Sequence, residues 1–264
     1  MDNVVEHRYG ADDMRLVQAS FRSHRFAPHS HSEYAIAAIE RGVEAVDYRG
    51  RTEYATAGSL LLLDADTLHA GRPGIDEGWD YRVFYLPPAL LEELAGHRPT
   101  FPAPTPHDPH LAARLIRLHR RDQDTVAAQG EFEAVCSEIL TRYTRRAIAS
   151  APALPIGKVQ RHLAADLART PTLDELAAIA DLPRFPLLRA FRRETGTTPH
   201  GYLRQLRLRH AQQLLTAGHT VARAAADSGF YDQAHLHRHF RRTFAATPGR
   251  FARNDVQDHR GRSA

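Results

Sequence analysis

Histidine and acidic side chains occur close together in one short stretch of the N-terminal half. His29, His31 and Glu33 alternate along the chain, and alternate residues of a β-strand point to the same face. His69 ends the later segment GSLLLLDADTLH, which begins at Gly58. Two or three imidazoles with one carboxylate, and with coordination positions left open, would suit Zn²⁺, Fe²⁺, Mn²⁺ or Ni²⁺. A divalent transition-metal site is therefore one hypothesis for this half.

The same side chains have two other interpretations. Neutral histidines would line a pocket for a small-molecule effector as hydrogen-bonding groups, or they would simply pack in the interior. Trp79 and Tyr81 likewise fit either a pocket wall or an ordinary core. The sequence leaves the metal site, the effector pocket and plain packing open.

Basic residues are concentrated in the other half of the chain. Residues 158–264 contain 18 Lys and Arg against 9 Asp and Glu, a net charge of +9, whereas residues 1–157 contain 17 against 22, a net charge of −5. A basic segment of this kind indicates a polyanionic partner. Nearly all of these cations are arginine, which biased coding would explain, but such a bias does not explain their sorting along the chain.

Short strands are the elements expected to position the histidines. Apolar runs separated by glycines predict an all-β sandwich or small barrel; they cover residues 34–39, 43–48, 60–63 and 81–86. Residues 86–109 are rich in proline and are predicted to contain little regular structure. Apolar residues then recur at helical spacing in 111–118 and 132–143, which predicts two helices.

These two helices have two possible partners. Their apolar stripes would form a homodimer surface, or they would pack on the barrel of their own chain. Residues 150–157 contain two prolines and several alanines, and this composition predicts a linker.

The C-terminal third contains two similar helical passes. In each, a helix, a tight turn and a second helix follow one another, and a longer helix over about 199–215 joins the two passes. Side-chain caps and glycines predict where the helices begin and end. These residues are Thr172, Glu175, Gly196, Gly218, Thr220, Gly229 and Asp232.

The C-terminal residues resemble the AraC/XylS family of transcription regulators. The matching text runs over residues 173–215 and 221–251 and includes FRRETG followed by Pro199 and Tyr202, RxxxAxxLL at 207–215, and GFxDxxxLxRxF at 229–240. The resemblance implies an all-α DNA-binding domain at residues 158–255 with two helix-turn-helix units. The second helix of each unit would lie in the major groove, about one DNA turn (roughly 34 Å) from the other.

The resemblance also implies which side chains touch DNA. By position in the family pattern, the base-reading residues are Arg184, Phe185, Leu188 and Arg189 in the first unit and Gln233, His235, His237 and Arg238 in the second. The predicted phosphate contacts, for which a solvated helix face is the alternative, are Arg192, Arg193, Arg241 and Arg242. The chain departs from the pattern at Pro183 and Pro186. Proline is tolerated in a first helical turn, but the missing side-chain cap costs about 1 kcal/mol.

The N-terminal segment resembles the cupin-type sensing domain that accompanies this family. The likeness lies in the HxH pattern of His29 and His31 and in the later segment from Gly58 to His69. It implies a cupin-like barrel over residues 1–100, followed by a helical connector and linker over 101–157. Glu33 follows the histidines sooner than the carboxylate of metal-binding cupins does, which puts its role as a ligand in doubt.

Together these features predict a sequence-specific transcription regulator, not an enzyme, whose N-terminal domain senses a small molecule or a metal. The predicted partners are double-stranded DNA, an unidentified effector, RNA polymerase and a second copy of the chain. The predicted location is the cytoplasm, because neither a signal peptide nor a membrane-spanning run is visible.

Two other function classes compete with this prediction. One is a cupin-type metalloenzyme with a basic helical appendage. The other is a repair protein with a methyl-accepting cysteine. The only cysteine, Cys136, argues against repair because it lies in a helical connector with no neighbouring cysteine.

Overall fold

The computed structural model describes residues 4–9, 14–121, 126–146 and 154–251. They form two compact units, one containing the residues up to 146 and the other containing those from 154 onwards. The described strands all lie in the first unit, and the second unit is helical. This confirms the predicted fold class, an antiparallel β domain followed by an all-α domain.

One long strand, β3, organises the sheet of the first unit. The seven strands are β1 (Val4–Tyr9), β2 (Arg15–Phe21), β3 (Tyr34–Tyr48), β4 (Arg51–Thr56), β5 (Leu60–Leu63), β6 (His69–Pro73) and β7 (Trp79–Leu86). The first part of β3 pairs with β5 and β7, and its second part pairs with β4 and β6. A register shift between Ile39 and Arg41 separates the two parts. Since β3 serves two parts of the sheet, the strands wrap as in a barrel although the described pairing does not close.

Two glycines let three strands approach closely at one end of this sheet. Gly42 has φ +71° and Gly78 has φ +73°. A Cβ on Gly42 would overlap the carbonyl oxygen of Gly78, and a Cβ on Gly78 would overlap that of Phe21. Glycine is therefore required at both positions for steric as well as conformational reasons. The close approach brings Phe21 of β2 beside Trp79 of β7.

Three helices complete the first unit. They are α1 (Pro88–Ala95), α2 (Pro109–Arg120) and α3 (Val126–Tyr143), and two short strands, β8 (Pro99–Thr100) and β9 (Arg145–Arg146), pair with each other. α2 and α3 confirm the two helices predicted from apolar spacing. The sequence predicted little regular structure in 86–109, and α1 shows that this prediction was wrong for Pro88–Ala95. The helix tolerates Pro88 because it occupies the first turn, where no backbone N–H is needed.

The apolar stripes of α2 and α3 pack on the sheet of their own chain. Leu111, Leu115 and Val135 share one core with Ile36 and Phe84. Of the two alternatives for these stripes, packing within the chain is the one observed. Residues 101–146 accordingly belong to the first compact unit and do not form the separate connector that the sequence suggested.

The second unit contains six helices within residues 154–251. They are α4 (Leu154–Ala165), α5 (Leu173–Ala180), α6 (Arg184–Thr195), α7 (Pro199–Thr216), α8 (Val221–Asp227) and α9 (Gln233–Phe244). α4 begins inside the predicted linker, whose residues 150–153 lie outside the described ranges. The capping box of Thr172 and Glu175 is present, and Gly196 and Gly229 adopt positive φ as predicted.

Helix α7 belongs to the cores of both helix-turn-helix units. Its residue Leu203 packs with Leu187 and Phe191 in the first core. Further along, Leu215 packs with Phe240 in the second core. One continuous helix therefore joins the two units. Within the described ranges, no helix has the length and apolar character needed to cross a membrane.

Candidate DNA interface and effector site

The predicted contact residues of α6 share one exposed side of that helix. Phe185, Leu188, Arg189 and Arg192 occupy positions i, i+3, i+4 and i+7 of the helix, so they lie along a single face. Phe185 is 73% exposed, and both arginines are exposed. Leu188 is half-buried, whereas the neighbouring Leu187 is fully buried in the core. The structure thus separates the core residue from the candidate contact residue.

Arg184, the first predicted reader of this helix, is engaged by the protein itself. Its guanidinium forms two hydrogen bonds with the carboxylate of Asp174 on α5. Both side chains are exposed, so the ion pair contributes little to stability. α6 begins directly after Pro183, which offers no side-chain cap. A base contact by Arg184 would first require the release of Asp174.

Removing that carboxylate should increase DNA affinity. We expect Asp174→Asn to tighten duplex binding by about two- to fivefold, because Arg184 becomes available at the cost of an ion pair worth about 0–1 kcal/mol. Asp227→Asn is the matched control: it breaks the exposed Arg223–Asp227 pair on α8 and changes the net charge equally. Titration of both variants against one duplex at constant salt measures the difference. Equal affinities for the two variants would mean that Arg184 does not contact DNA.

Helix α9 presents a similar exposed face in the second helix-turn-helix unit. Gln233, His237, Arg238 and Arg241 are exposed, and Arg242 lies beside them. Asp232 caps the helix by accepting a hydrogen bond from the backbone N–H of His235 at 2.6 Å. In the part of the chain that the structure describes, none of the three arginines has an ion-pair partner.

His235 is half-buried. Its ring lies 5.4 Å from that of Phe230 and 4.9 Å from that of His239, measured between centroids. Burial, with the nearby arginines Arg204 and Arg242 adding to it, lowers the pKa of His239 to about 4. His235 therefore packs against a neutral ring and a core aromatic.

One candidate contact residue was missed by the sequence reasoning. Tyr231 is 93% exposed and lies directly before the helix cap Asp232. The sequence signal that could have identified Tyr231 was its position beside Phe230. Phe230 faces the core, so the adjacent side chain faces solvent. An exposed aromatic ring beside a recognition helix suits contact with a thymine methyl or the sugar backbone.

A hydrogen-bond network holds the loop between α4 and α5 against α7. The Arg207 side chain donates to the carbonyl oxygens of Leu167 at 2.7 Å and Ala168 at 3.3 Å, and to the Thr170 hydroxyl at 2.9 Å. The same loop touches the second helix-turn-helix unit, because a Cβ on Gly229 would overlap the Leu167 carbonyl oxygen. Arg207 thus positions a loop on which the turn between α8 and α9 rests.

In the first compact unit, three of the four predicted effector residues come together. The ring centroids of His29 and His69 lie 4.4 Å apart, and that of His31 lies 4.8 Å from His69. The predicted strand at 29–33 was wrong: these residues form a loop, and a single bridge pairs His29 with His69. Cross-strand pairing, and not alternation along one strand, brings the imidazoles together.

All three histidines are neutral. Each Nδ1 lies within hydrogen-bond distance of a backbone carbonyl oxygen two residues away, at 2.9, 2.6 and 2.9 Å for His29, His31 and His69. A carbonyl only accepts, so Nδ1 carries the proton and Nε2 the lone pair. Burial lowers the pKa values of the three groups to about 3, 4 and 3, respectively.

The Glu33 carboxylate interacts electrostatically with both Arg15 and His31. It accepts a hydrogen bond from Ser32 and pairs with Arg15 at 3.7 Å. Arg15 in turn lies over the ring of Tyr85, 3.9 Å from its centroid. Since residues 30–33 form a loop, strand alternation does not set the direction of the Glu33 side chain.

The described residues do not support the metal hypothesis. Among them, no group of three or more His, Cys, Asp or Glu side chains is arranged to hold a metal ion. The three imidazoles instead form a buried neutral cluster beside Tyr85. This arrangement fits both the effector pocket and plain packing.

Comparison with known sequences assigns both units to described families. Residues 13–143 match the family described as AraC-like ligand binding domain, and residues 176–254 match a helix-turn-helix domain. The uncharacterized HTH-type transcriptional regulator YbfI of Bacillus subtilis is 26% identical, over 80% of this chain and 82% of that protein. The HTH-type transcriptional activator RhaR of Escherichia coli is 25% identical, over 94% of this chain and 95% of that protein.

Solved structures show the same fold. An apo form of a ToxT variant from Vibrio cholerae is similar with a TM-score of 0.63 at 13% identity, covering 93% of this chain and 98% of that one. Wild-type ToxT bound to an unsaturated fatty acid has a TM-score of 0.57 at 13% identity, covering 96% of this chain and 95% of that one. At this identity the likeness concerns the fold alone.

Proposed function

Because the chain belongs to the AraC family of transcription regulators, we propose that α6 and α9 are its DNA-reading helices and that a small molecule in the first unit controls them. The observation that carries the proposal is the recurrence of one feature. Each helix follows a tight turn and exposes arginines one turn beyond its predicted base-reading residues. A solvated face would have no reason to recur at the same place in both helix-turn-helix units.

The electrostatics of these helices support contact with phosphates. The exposed arginines without an ion-pair partner among the described residues include Arg189, Arg192, Arg238, Arg241 and Arg242. Uncompensated cations on one face attract a polyanion and release its counterions. By contrast, Arg169 on the α4–α5 loop and Arg223 on α8 are paired with carboxylates. The clustering of unpaired arginines on α6 and α9 therefore supports these two helices as the side that faces DNA.

Within this surface we assign two roles. Arg189 and Arg238 lie in the middle of their helices and are proposed to read guanine, with Phe185, Leu188, Gln233 and His237 as further base contacts. Arg192, Arg193, Arg241 and Arg242 are proposed to hold phosphates. His235 is not included, because its ring packs on Phe230 and His239.

The first unit is proposed to bind the effector on the face of the sheet that carries the histidines. Buried neutral groups there offer hydrogen bonds to a ligand. Binding would alter DNA affinity through a coupling of about 1–3 kcal/mol. The relatives with a stated role are regulators, and we propose that this chain also acts by binding and not by catalysis. A homodimer, contact with RNA polymerase and a cytoplasmic location remain predictions.

Two arginine variants test the assignment. Arg189→Ala should weaken binding to a specific duplex by about 5- to 150-fold, because one bidentate base contact is worth about 1–3 kcal/mol of discrimination, with little change on random DNA. Arg242→Ala should weaken binding to both duplexes equally and lower the salt slope by about one. The measurement is anisotropy titration at several salt concentrations, with a specific duplex selected from a random pool by the unaltered protein.

The control for these variants is Arg161→Ala, which removes the same charge from an exposed position on α4. It should change affinity less than either test variant does. If all three variants behaved alike on specific and random DNA, α6 and α9 would not be the reading helices.

A further inference from the structure

The first unit buries the carboxyl group of a strand glutamate. Glu44 lies in the second part of β3 and is 5% exposed. Its Oε2 atom has no hydrogen-bond partner among the described residues. Buried carboxyl groups are normally paired or hydrogen-bonded, so an orphaned oxygen indicates that a partner is supplied from elsewhere.

Among the described residues, no cation is placed to balance this group. Burial alone raises the pKa of Glu44 to about 8. Tyr81 and Tyr85 feel its charge, and burial raises the pKa of both phenols, so both stay neutral. Arg15 is already engaged by Glu33 and by the ring of Tyr85.

A group of aromatic rings lies near Glu44. We call Phe21, Phe26, Trp79 and Tyr81 the aromatic cluster: Phe21 lies 5.1, 5.0 and 5.9 Å from the other three, measured between ring centroids. A Cβ on Gly71 would overlap Oε1 of Glu44 and lie 3.4 Å from Cδ2 of Phe26. The carboxyl group and the aromatic cluster therefore meet over Gly71.

A second orphaned polar atom belongs to the same cluster. Trp79 is fully buried, and its indole N–H has no hydrogen-bond acceptor among the described residues. A plain apolar core would not need an indole N–H or a carboxyl group here. Two unpartnered polar atoms in one aromatic setting are the pattern expected of a ligand site.

We propose that the first unit binds a small organic ammonium ion, whose charge meets the Glu44 carboxylate and whose carbon skeleton lies in the aromatic cluster. A carboxylate and the faces of aromatic rings both attract a cation, whereas they disfavour an anion. This inference rests on the proposed function, because it names the chemical class of the effector.

Binding of such a cation should release a proton. At neutral pH the free carboxyl group is protonated, so an ammonium ion that pairs with the carboxylate displaces one proton to solvent. Charge is conserved: one cation enters the site and one leaves it. A neutral ligand would not produce this release.

Three probes of one shape test the proposal on the full chain: benzylammonium, benzyl alcohol and benzoate. Calorimetry in two buffers of different ionisation enthalpy gives affinity and proton release, and Trp79, the only tryptophan, reports binding by fluorescence. We expect benzylammonium to bind at least about tenfold more tightly than the alcohol, with proton release, and benzoate not to bind.

Glu44→Gln keeps the shape of the side chain and should weaken benzylammonium binding by at least about 30-fold, as for removal of one partner of a buried charge pair. Glu77→Gln, at an exposed position of the same unit, should bind as the unaltered chain does. Should Glu44→Gln fail to fold, Glu44→Asp retains the charge on a shorter arm and should give a smaller loss together with proton release.

Absence of benzylammonium binding, equal binding of the alcohol, or an unchanged affinity in Glu44→Gln would each overturn the ammonium proposal. None of these results would alter the DNA titrations of Arg189→Ala and Arg242→Ala. Failure of the proposed ligand class and failure of the proposed DNA-reading helices are therefore read from separate experiments.

Discussion

Lowering the pH from 6.5 to 5 is expected to destabilise the first unit by about 3 kcal/mol, a large part of the usual stability of a domain. The cause is the cluster of His29, His31 and His69, whose pKa values are about 3, 4 and 3 because of burial. In the unfolded chain their pKa is about 6.5. Below pH 6.5 the histidines bind protons in the unfolded state but stay unprotonated in the folded state, so stability falls as pH falls.

Glu44 acts in the opposite direction. Its pKa is raised to about 8 in the folded state, against about 4.3 in the unfolded chain, so the folded state binds the extra proton between these values. Between pH 6.5 and 5 the three histidines lower the free energy of unfolding by about 5 kcal/mol, and Glu44 raises it by about 2 kcal/mol. From pH 8 to 6.5 the two effects nearly cancel. Stability should therefore be flat above pH 6.5 and fall below it.

Urea unfolding followed by Trp79 fluorescence measures this pH profile in the first unit. His29→Gln should reduce the slope below pH 6.5 by about one proton. Glu44→Gln should remove the opposing contribution, so that stability already declines from pH 8. A first unit equally stable at pH 6.5 and pH 5 would show that the three histidines are protonated in the folded protein.

The elements of the second unit were predictable because their signals are local. Thr172 and Glu175 form a capping box within one helical turn. Gly196 and Gly229 end helices because each must adopt positive φ. Such preferences depend on a few consecutive residues, and both proposed reading helices could therefore be placed on their sequence alone.

The candidate effector site was only partly predictable because it depends on contacts between distant residues. The pairing of His29 with His69 requires the loop before β3 to reach β6. Glu33 turns to Arg15, and strand alternation gives no indication of this. Glu44 attracted no attention in the sequence, since a glutamate in a strand is normally exposed. Its carboxyl group lies over Gly71, a distant residue that leaves room for it by having no Cβ.

The ion pair of Arg184 with Asp174 is another contact that the local sequence does not predict, here in the second compact unit. The two residues lie on consecutive helices, and the turn between them determines whether their side chains meet. The resemblance to a family identified Arg184 as a reader by position, but position carries no information on what the side chain bonds in the absence of DNA.

Gly229→Ala is expected to destabilise the second compact unit by about 3 kcal/mol or more. Gly229 has φ +74°, which costs alanine about 1–2 kcal/mol. The added Cβ would also overlap the Leu167 carbonyl oxygen and lie 2.9 Å from its carbon and 3.0 Å from Cα of Ala168. These are backbone atoms, which do not move aside as a flexible side chain would. DNA binding should fail as well, since the turn that begins α9 would be displaced.

Gly218→Ala is the matched control, because Gly218 has φ +82° and nothing lies within 4 Å of the Cβ position. It should cost only the conformational strain, about 1–2 kcal/mol. Urea unfolding followed by helical circular dichroism measures both variants, while Trp79 fluorescence monitors the first unit, which should not change. Equal losses of unfolding free energy in the two variants would mean that the 167–170 loop moves aside without an energetic penalty.

The loop is not expected to yield, because Arg207 holds it by donating to the Leu167 and Ala168 carbonyl oxygens. Any retreat from a Cβ on Gly229 must lengthen these hydrogen bonds. In an Arg207→Ala background the loop is released, so Gly229→Ala should cost about 1 kcal/mol less than it does alone, as is usual for coupled neighbours. If the losses of unfolding free energy from Arg207→Ala and Gly229→Ala were strictly additive, Arg207 would not hold the loop on which the second helix-turn-helix unit packs.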